Sequence, residues 1–305
     1  MISLIVPTRN RADTLRRCAP SYFAQELVDE VIVVDDAGDD DTAAVLNECA
    51  AQQTGVDLRI VTNPQRLGAS QSRNVGVALA RNDLILFCDD DEMLESGYAR
   101  LCLEKMREHE AAAVSGRRVY MRPGETPRAA LDRFGFGLRD VPAHQALICE
   151  SVNGARFAAD LEVPFTNAVI LTRKELLQRF PFDPYYARGN GYREETDYQM
   201  NLYTQGHRIV VTNACHSIHL PLAEVRAGGQ RTGHLKRIYW SIHYTNYFFG
   251  KYYEAYARRL GLRAPRWLAL SAFSVFAVYR AYLRPVLYPF ALALASRRRS
   301  AEALR

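Results

Sequence analysis

Apolar runs and helical patterns alternate through the first ninety residues of the chain. Four short apolar runs, each bounded by polar residues, predict strands at about residues 3–6, 30–34, 58–62 and 84–88. Apolar residues at helical spacing between these runs predict helices at about 13–26, 42–53 and 69–80. Strands that alternate with helices build a mostly parallel sheet flanked by helices. We therefore predict an α/β fold.

The pattern continues less regularly to about residue 220. It predicts a helix at 94–110, a strand at 114–121 and a loop-rich insertion at 123–152. Order then resumes with a strand at 168–171, helices at 174–180 and 198–204, a strand at 208–211, and a second strand that carries His216 and His219. We expect residues 1–220 to form one domain and residues 221–305 a helical segment.

Polar residues follow each of the first four predicted strands. They are Pro7-Thr8-Arg9-Asn10, Asp35-Asp36, Asn63 and Asp89-Asp90-Asp91-Glu92. Ligands of open α/β sheets bind outside the carboxyl ends of the strands. The sequence therefore predicts a ligand site at this edge, with four consecutive carboxylates that a cation could screen.

The formal net charge of +5 conceals an uneven distribution. Residues 221–305 hold 15 Lys and Arg against 3 Asp and Glu, whereas residues 1–220 hold 24 against 31. The same C-terminal segment holds 16 of the 32 aromatic residues, including both tryptophans. Such a segment requires an acidic partner, which could be nucleic acid, anionic lipid or an acidic substrate.

The cysteines and the N-terminus bear on the compartment. Six cysteines are scattered without CxxC spacing, which predicts reduced, mostly buried thiols and argues against a zinc cluster. The N-terminus lacks a basic stretch, and its apolar run is too short for a signal peptide. We therefore expect the protein to stay on the cytoplasmic side.

Five ordered motifs together resemble those of glycosyltransferase family 2, whose members have the GT-A fold. They are Val6-Pro7-Thr8-Arg9-Asn10, Val33-Val34-Asp35-Asp36, Asn63 with Ser72-Arg73-Asn74, Asp89-Asp90-Asp91, and Glu194-Glu195-Thr196-Asp197. The resemblance spans residues 2–220. It implies an inverting transfer of a sugar from a nucleotide-sugar donor to a hydroxyl of a glycan or lipid-linked acceptor, in the synthesis of cell-surface polysaccharide or glycolipid.

The resemblance also implies which residues bind the donor. They are Pro7, Thr8, Arg9, Asp35, Asp36, Arg73, Asp89 and Asp90. Either Asp35 or Asp36 would accept a hydrogen bond from the nucleobase, although a cap on the following helix would also explain both carboxylates.

The acid run falls where the family carries its DxD metal motif. Asp91 would bind Mn²⁺ or Mg²⁺ directly, with Asp89 on the donor ribose or sugar and as a second candidate ligand, since hard oxygen ligands suit both ions. The cation would stabilise the charge that collects on the departing diphosphate. Solvated charge is the simpler interpretation of Asp90 and Glu92.

Three acids near the start of a predicted helix imply a general base. A carboxylate within hydrogen-bond reach of the acceptor hydroxyl can take its proton as the hydroxyl attacks the anomeric carbon. We choose Glu195, with Glu194 and Asp197 as alternatives, although helix capping explains some of these acids. The family motif often reads Glu-Asp at this point, whereas this chain reads Glu-Glu.

Two late histidines are candidates for completing the metal site, because many members of the family have a histidine there. His216 and His219 are three residues apart on a predicted strand, so they face opposite sides and at most one can reach the metal. We choose His219 and keep His216 as the alternative. An ordinary core or surface histidine would explain either one.

The C-terminal segment has aromatic residues at helical spacing over 235–260, which predicts a helix packed on the domain. The apolar run 267–279 is too short to span a bilayer. Together with Arg297-Arg298-Arg299, these features predict an amphipathic anchor on an anionic membrane surface, and hence a peripheral protein at the inner face of the cell membrane. No recognisable module supports binding to nucleic acid.

Two other functions are compatible with parts of the pattern. A catalytically inactive nucleotide-sugar-binding or scaffold protein of the same fold would not require Asp91 or the acids around Glu195. A nucleotidyltransferase also pairs carboxylates with a metal, but its glycine-rich, Lys-bearing phosphate loop is missing.

Overall fold

The computed structural model of the chain describes residues 1–53, 55–136, 142–152, 157, 159–225 and 233–284. Its strands are β1 (Ile2–Thr8), β2 (Val28–Asp35), β3 (Asp57–Thr62), β4 (Leu84–Phe87), β5 (Glu92–Leu94), β6 (Ala113–Tyr120), β7 (His144–Gln145), β8 (Glu150–Ser151), β9 (Leu161–Glu162), β10 (Leu171–Arg173) and β11 (Ile209–His219). Its α-helices are α1 (Ala12–Cys18), α2 (Pro20–Phe23), α3 (Thr42–Ala51), α4 (Ala69–Leu79), α5 (Tyr98–Glu108), α6 (Pro127–Phe136), α7 (Lys174–Arg179), α8 (Glu194–Thr204), α9 (His234–Leu260) and α10 (Arg266–Val278). A 3₁₀ turn occupies Pro184–Ala187, and a π-helical turn at Tyr279–Leu283 extends α10.

A nine-stranded sheet forms the centre of the described fold. Its order is β3-β2-β1-β4-β10-β6-β11-β5, and β9 pairs with β11. Strands β1 to β4 are mutually parallel, as the alternating sequence predicts. Strand β10 runs antiparallel between β4 and β6, whereas β6 and β11 are parallel. The carboxyl ends of β1, β2 and β4 therefore meet at one edge.

The sheet is buried on both faces. Leu4 and Val6 of β1 enter one hydrophobic core, whereas Ile5 between them enters the other. Such two-sided burial requires continuous apolar runs rather than an alternating pattern. All six cysteines are free and buried, as their scattered spacing predicts.

Helices α9 and α10 belong to the second core. Phe248, Phe249, Tyr253 and Tyr256 of α9 and Ala269 of α10 join the same cluster as the sheet residues. The aromatic helix predicted at 235–260 is therefore α9, and its aromatic face is packed inward. A division between residues 220 and 221 stays a prediction.

Several predicted elements differ from the structure. The helix expected from residue 94 begins only at Tyr98, because residues 92–94 form β5 and pair with β11. The loop-rich stretch at 123–152 contains helix α6 and the hairpin of β7 and β8. The two strands expected after residue 208 are one strand, β11, whose pairing with β6 shifts between Thr212 and His216.

Helix α10 exposes an apolar face. Its buried side carries Ala269 and Phe273, which pack against the core or lie within it. The opposite side, which we call the α10 stripe, carries Trp267, Leu268, Val275, Val278, Tyr279, Tyr282 and Leu283, each at least 40% exposed. In the described part of the chain, no helix has the length and hydropathy to cross a bilayer. Arg297-Arg298-Arg299 lie outside the described residues.

Candidate active site

A cavity of about 500 Å³ opens at the sheet edge where β1, β2 and β4 end. Eleven of the residues chosen from the sequence line it: Pro7, Thr8, Arg9, Asp36, Arg73, Asp89, Asp90, Asp91, Glu194, Glu195 and His219. Asp35, Asp197 and His216 are not among the lining residues. The structure thus brings most of the predicted residues together from six separate parts of the chain.

Asp91 and His219 are neighbours in the lining of the cavity. Strand β5 pairs with β11, and the Leu220 backbone N–H donates to the Asp91 carbonyl oxygen at 2.9 Å, which holds the two residues side by side. His219 Nδ1 lies 2.6 Å from the Leu220 carbonyl oxygen. A carbonyl oxygen only accepts, so Nδ1 carries a proton, and the other ring nitrogen, Nε2, lies 3.6 Å from Asp91 Oδ1.

This arrangement suits a cation. An imidazole nitrogen and a carboxylate oxygen, both of them ligand types for divalent cations, lie 3.6 Å apart in the lining of the cavity. Histidines that bind metals usually donate their other ring N–H to a carbonyl or carboxylate, as His219 does. The donor set of Asp91 and His219 therefore fits Mn²⁺ or Mg²⁺.

Asp89 is held by two guanidinium groups. Arg73 donates to Asp89 Oδ1 at 2.8 Å, and Arg118 donates to Asp89 Oδ2 at 3.1 Å. Burial by itself would raise the pKa of Asp89, but the two arginines outweigh it and leave the pKa below its usual range. Asp89 is therefore ionised, and both its oxygens already accept hydrogen bonds.

The arginines extend this pairing into a row of alternating charges. Arg73 also pairs with Glu194, and Arg118 also pairs with Glu92. The row Glu194, Arg73, Asp89, Arg118 and Glu92 crosses the floor of the cavity from helix α8 to strand β5. Acids and arginines in a buried row stabilise one another only when each has its partners, so this row fixes the geometry of the site.

The expectation that Asp90 and Glu92 are solvated charges is wrong for both residues. Glu92 is fully buried because Arg118 neutralises it. The Asp90 side chain is only 13% exposed and accepts a hydrogen bond from Thr8 Oγ1 at 2.8 Å. Burial and the neighbouring charge of Asp91 raise the pKa of Asp90 to about 7. A cation next to Asp91 would relieve this repulsion.

Asp35 and Asp36 have different positions. Asp35 is buried and accepts a hydrogen bond from the Gly38 backbone N–H at 3.0 Å, and burial raises its pKa. Asp36 lines the cavity and accepts hydrogen bonds from Asn63 and from the backbone N–H groups of Leu67 and Gly68. Asp36 thereby holds the loop before helix α4, which carries Arg73.

The three acids of helix α8 differ in their burial and in their hydrogen-bond partners. Glu194 is buried and paired with Arg73. Asp197 is 3% exposed and accepts hydrogen bonds from Tyr186, Lys251 and Tyr252. Burial raises the pKa of Asp197, while Lys251 and the two phenols oppose the rise.

Glu195 is half-buried and lines the cavity, and its side chain has no hydrogen bond or ion pair with any described residue. Glu195 is therefore the acid of the three that is available to a ligand.

His216 lies elsewhere on β11. Its Nδ1 is 2.8 Å from Glu95 Oε2, and its ring packs against Phe134. The two histidines thus have different neighbours, as their spacing predicts.

Several cavity residues were not found from the sequence. Arg118 is one of them, and the only signal was a pair of arginines, Arg117-Arg118, inside a predicted strand. Arg11 is 7% exposed and lines the cavity with buried guanidinium nitrogens that have no hydrogen-bond partner among the described residues.

A second group of cavity residues that the sequence did not reveal consists of Glu150, Tyr192 and Arg193. Arg193 has a left-handed backbone, with φ of 80°, and is the N-cap residue directly before helix α8. Its guanidinium donates to the Cys149 carbonyl oxygen at 2.6 Å and pairs with Glu150 at 2.7 Å. Tyr192 donates to the same Glu150 at 2.6 Å. Backbone strain of this kind persists where the surroundings fix it, and here it presents Glu194 and Glu195 to the cavity.

The model of the family described as "Glycosyl transferase family 2" matches residues 3–179. A GalNAc(5)-diNAcBac-PP-undecaprenol beta-1,3-glucosyltransferase from Campylobacter jejuni is 32% identical over 108 residues, which is 35% of each protein. The first curated relatives are matched over only 28% to 38% of their own length.

Two solved structures have a similar fold over most of the chain. Residues 1–349 of S. aureus TarS in complex with UDP-GlcNAc are 16% identical, with a TM-score of 0.58, covering 92% of this chain and 72% of that one. The Pyrobaculum calidifontis mannosyltransferase PcManGT in complex with GDP-Man and Mn²⁺ is 18% identical, with a TM-score of 0.58, covering 96% and 80%. At this level of identity the likeness concerns the fold.

Proposed function

The chain belongs to glycosyl transferase family 2 and has the GT-A fold, and from this premise we propose that it is a cation-dependent, inverting glycosyltransferase. It moves a sugar from a nucleoside-diphosphate sugar to a hydroxyl of a glycan or lipid-linked acceptor, in cell-surface polysaccharide or glycolipid synthesis. The observation that carries the proposal is one cavity lined by Asp91, His219 and Glu195, the last with a carboxylate that has no hydrogen-bond or ion-pair partner among the described residues.

The donor end of the cavity suits an anionic diphosphate. Arg9 and Arg11 line it, and one guanidinium nitrogen of Arg9 and two of Arg11 are buried without a hydrogen-bond partner among the described residues. Guanidinium groups bind phosphate oxygens through charge-assisted hydrogen bonds. Arg66, exposed at the same wall, adds a third positive charge.

Asp91 and His219 would hold the divalent cation, with Asp89 restrained beside them by Arg73 and Arg118. When bound, Mn²⁺ or Mg²⁺ supplies Lewis-acid stabilisation of the charge that develops on the leaving diphosphate. Because Asp89 already accepts from two arginines, we assign it to positioning and donor contact rather than to the direct ligand set.

Glu195 acts as the general base. It takes the proton from the acceptor hydroxyl as the oxygen attacks the anomeric carbon. Glu194 and Asp197 are less suitable, because Arg73 holds the first and Lys251 with two tyrosines holds the second. Attack from the side opposite the departing diphosphate inverts the anomeric configuration.

A membrane surface is part of the proposal. The α10 stripe presents seven apolar or aromatic side chains, and basic residues such as Arg263 and Arg266 lie at its start. Apolar residues with flanking arginines bind the interface of anionic lipid. We place the enzyme on the inner face of the cell membrane, where a lipid-linked acceptor such as the one in the name of the Campylobacter jejuni relative would be within reach.

An inactive binding or scaffold protein of the same fold is the alternative. It would retain affinity for a nucleotide sugar without transfer. A glutamate that lines the cavity without a partner in the described part of the chain has no structural task there, and this favours the enzyme.

Thermal unfolding with a panel of UDP-, GDP- and dTDP-sugars, each with and without Mn²⁺, tests the donor and the cation together. A ligand that binds the native state raises the melting temperature. We expect one nucleotide to stabilise the protein only with Mn²⁺, followed by slow hydrolysis of that donor. Asp91→Ala should abolish both effects, whereas Asp132→Ala, an acid that is 53% exposed on helix α6, should retain them. Stabilisation without any hydrolysis or transfer would favour the inactive protein.

A further inference from the structure

The π-helical turn that extends α10 joins two surfaces. Val278, Tyr279, Tyr282 and Leu283 belong to the exposed α10 stripe. Arg280, within the same turn, lines the cavity instead. A single turn of helix therefore contributes both to an apolar outer surface and to the lining of the cavity that contains Glu195.

Arg280 is held only loosely by its neighbours. Its side chain is 38% exposed, its Nη1 forms a long ion pair with Glu150 Oε2 at 3.9 Å, beyond hydrogen-bond distance, and its guanidinium carbon lies 5.9 Å from the centre of the Phe276 ring. The closer partners of Glu150, Tyr192 at 2.6 Å and Arg193 at 2.7 Å, contact the other carboxylate oxygen, Oε1. Arg280 makes no hydrogen bond to any residue that the structure describes, so its donors are available to a ligand.

We propose that Arg280 binds the phosphate of a lipid-linked acceptor whose apolar chain lies along the α10 stripe. This inference rests on the proposed function and names its acceptor class: an apolar chain joined through phosphate to the sugar that receives the new residue. A guanidinium suits phosphate because its planar fork donates two parallel hydrogen bonds.

The order of the groups fits such an acceptor. The π-helical turn places the apolar stripe next to Arg280, which lines the cavity, and Arg280 is 3.9 Å from Glu150, whose partner Arg193 stands two residues before Glu195. An apolar chain, a phosphate and a sugar hydroxyl follow one another in the same order. A free glycan has no apolar chain for the stripe and no lipid phosphate for Arg280. A lipid headgroup alone would not need a guanidinium group that lines the cavity.

Ligand-observed NMR titrations with three probes test the proposal: farnesyl phosphate, farnesol and inorganic phosphate. Wild-type protein should bind farnesyl phosphate at least about tenfold more tightly than either other probe, since chain and phosphate contribute together. Arg280→Gln should lose about tenfold for farnesyl phosphate and nothing for farnesol. Val275→Glu, on the stripe, should weaken both lipid probes.

The control is Arg128→Gln, which removes an equally basic side chain that is 86% exposed on helix α6 and does not line the cavity. Binding of farnesyl phosphate should be unchanged in this variant. Equal losses in Arg128→Gln and Arg280→Gln would reduce the effect to general charge attraction and overturn the proposal, as would unaltered binding in Arg280→Gln. The two claims can be tested separately. The donor nucleotide with Mn²⁺ should still raise the melting temperature of Arg280→Gln, because this effect depends only on the proposed function.

Discussion

The ammonium nitrogen of Lys251 lies 2.8 Å from both carboxylate oxygens of Asp197. This pair ties helix α9 to the first turn of helix α8, two residues from Glu195. Tyr186 and Tyr252 complete the hydrogen bonds of the same carboxylate. The C-terminal helices are thus part of the frame that positions the proposed base.

Removing one member of this pair should destabilise the protein. Lys251→Met leaves the buried Asp197 without its ammonium partner, and we expect the free energy of unfolding to fall by about 2 kcal/mol. The double variant Lys251→Met with Asp197→Asn should recover part of that loss, because the buried charge is gone. Urea unfolding of the single and double variants measures the coupling. Strictly additive losses would show that the two side chains do not interact.

The proposed base gives a second prediction. Glu195→Gln keeps the size of the side chain but cannot accept the proton, so kcat for transfer should fall by roughly 10²- to 10⁴-fold. Mn²⁺ affinity and donor-induced stabilisation should remain, since the side chain has no partner in the described structure. Glu104→Gln, which is 52% exposed on helix α5, is the control. Transfer at the wild-type rate in Glu195→Gln would assign the base elsewhere.

The first half of the fold could be predicted because its signals are local. Each strand end, such as Asp36 or Asp89, follows its own apolar run, and parallel strands bring such ends to one edge. Partners far apart in sequence could not be predicted in this way. Arg118 reaches Asp89 over 29 residues, and Lys251 reaches Asp197 over 54. The sequence gives no sign that Glu92 is buried, because its burial depends on Arg118.

The buried imidazole of His144 should make the free energy of unfolding depend on pH. Burial, followed by the positive charge of Arg193, lowers the pKa of His144 to about 4 from an ordinary value of 6.5. The unfolded chain therefore binds more protons between these values, and the folded state should lose stability as the pH falls from 6.5 to 4. In His144→Gln this contribution should vanish, so the free energy of unfolding should fall less steeply over that window. Urea titrations at several pH values measure both slopes, and parallel slopes would contradict the prediction.

The α10 stripe predicts membrane binding. Val275 is 70% exposed, and Val275→Glu places a negative charge within the apolar surface. Binding to vesicles of 70% phosphatidylcholine and 30% phosphatidylglycerol should weaken by about tenfold or more, because apolar contact is lost and anionic lipid repels the carboxylate. Vesicle co-sedimentation measures this, with Glu254→Gln on helix α9 as a charge control. Equal binding by wild-type protein and Val275→Glu would exclude the stripe as the contact surface.

The central claim is that Asp91 and His219 hold a divalent cation beside the donor diphosphate. Anomalous diffraction from crystals soaked with Mn²⁺ and the stabilising nucleoside diphosphate tests it most directly. The account predicts a manganese peak within bonding distance of both side chains in the wild-type protein and in His216→Gln. Titrated in solution, His219→Gln should bind Mn²⁺ at least about tenfold more weakly, since even the outer partners of metal ligands contribute that much. A nucleotide bound in the cavity with no manganese peak at Asp91, or unchanged Mn²⁺ affinity in His219→Gln, would contradict the account.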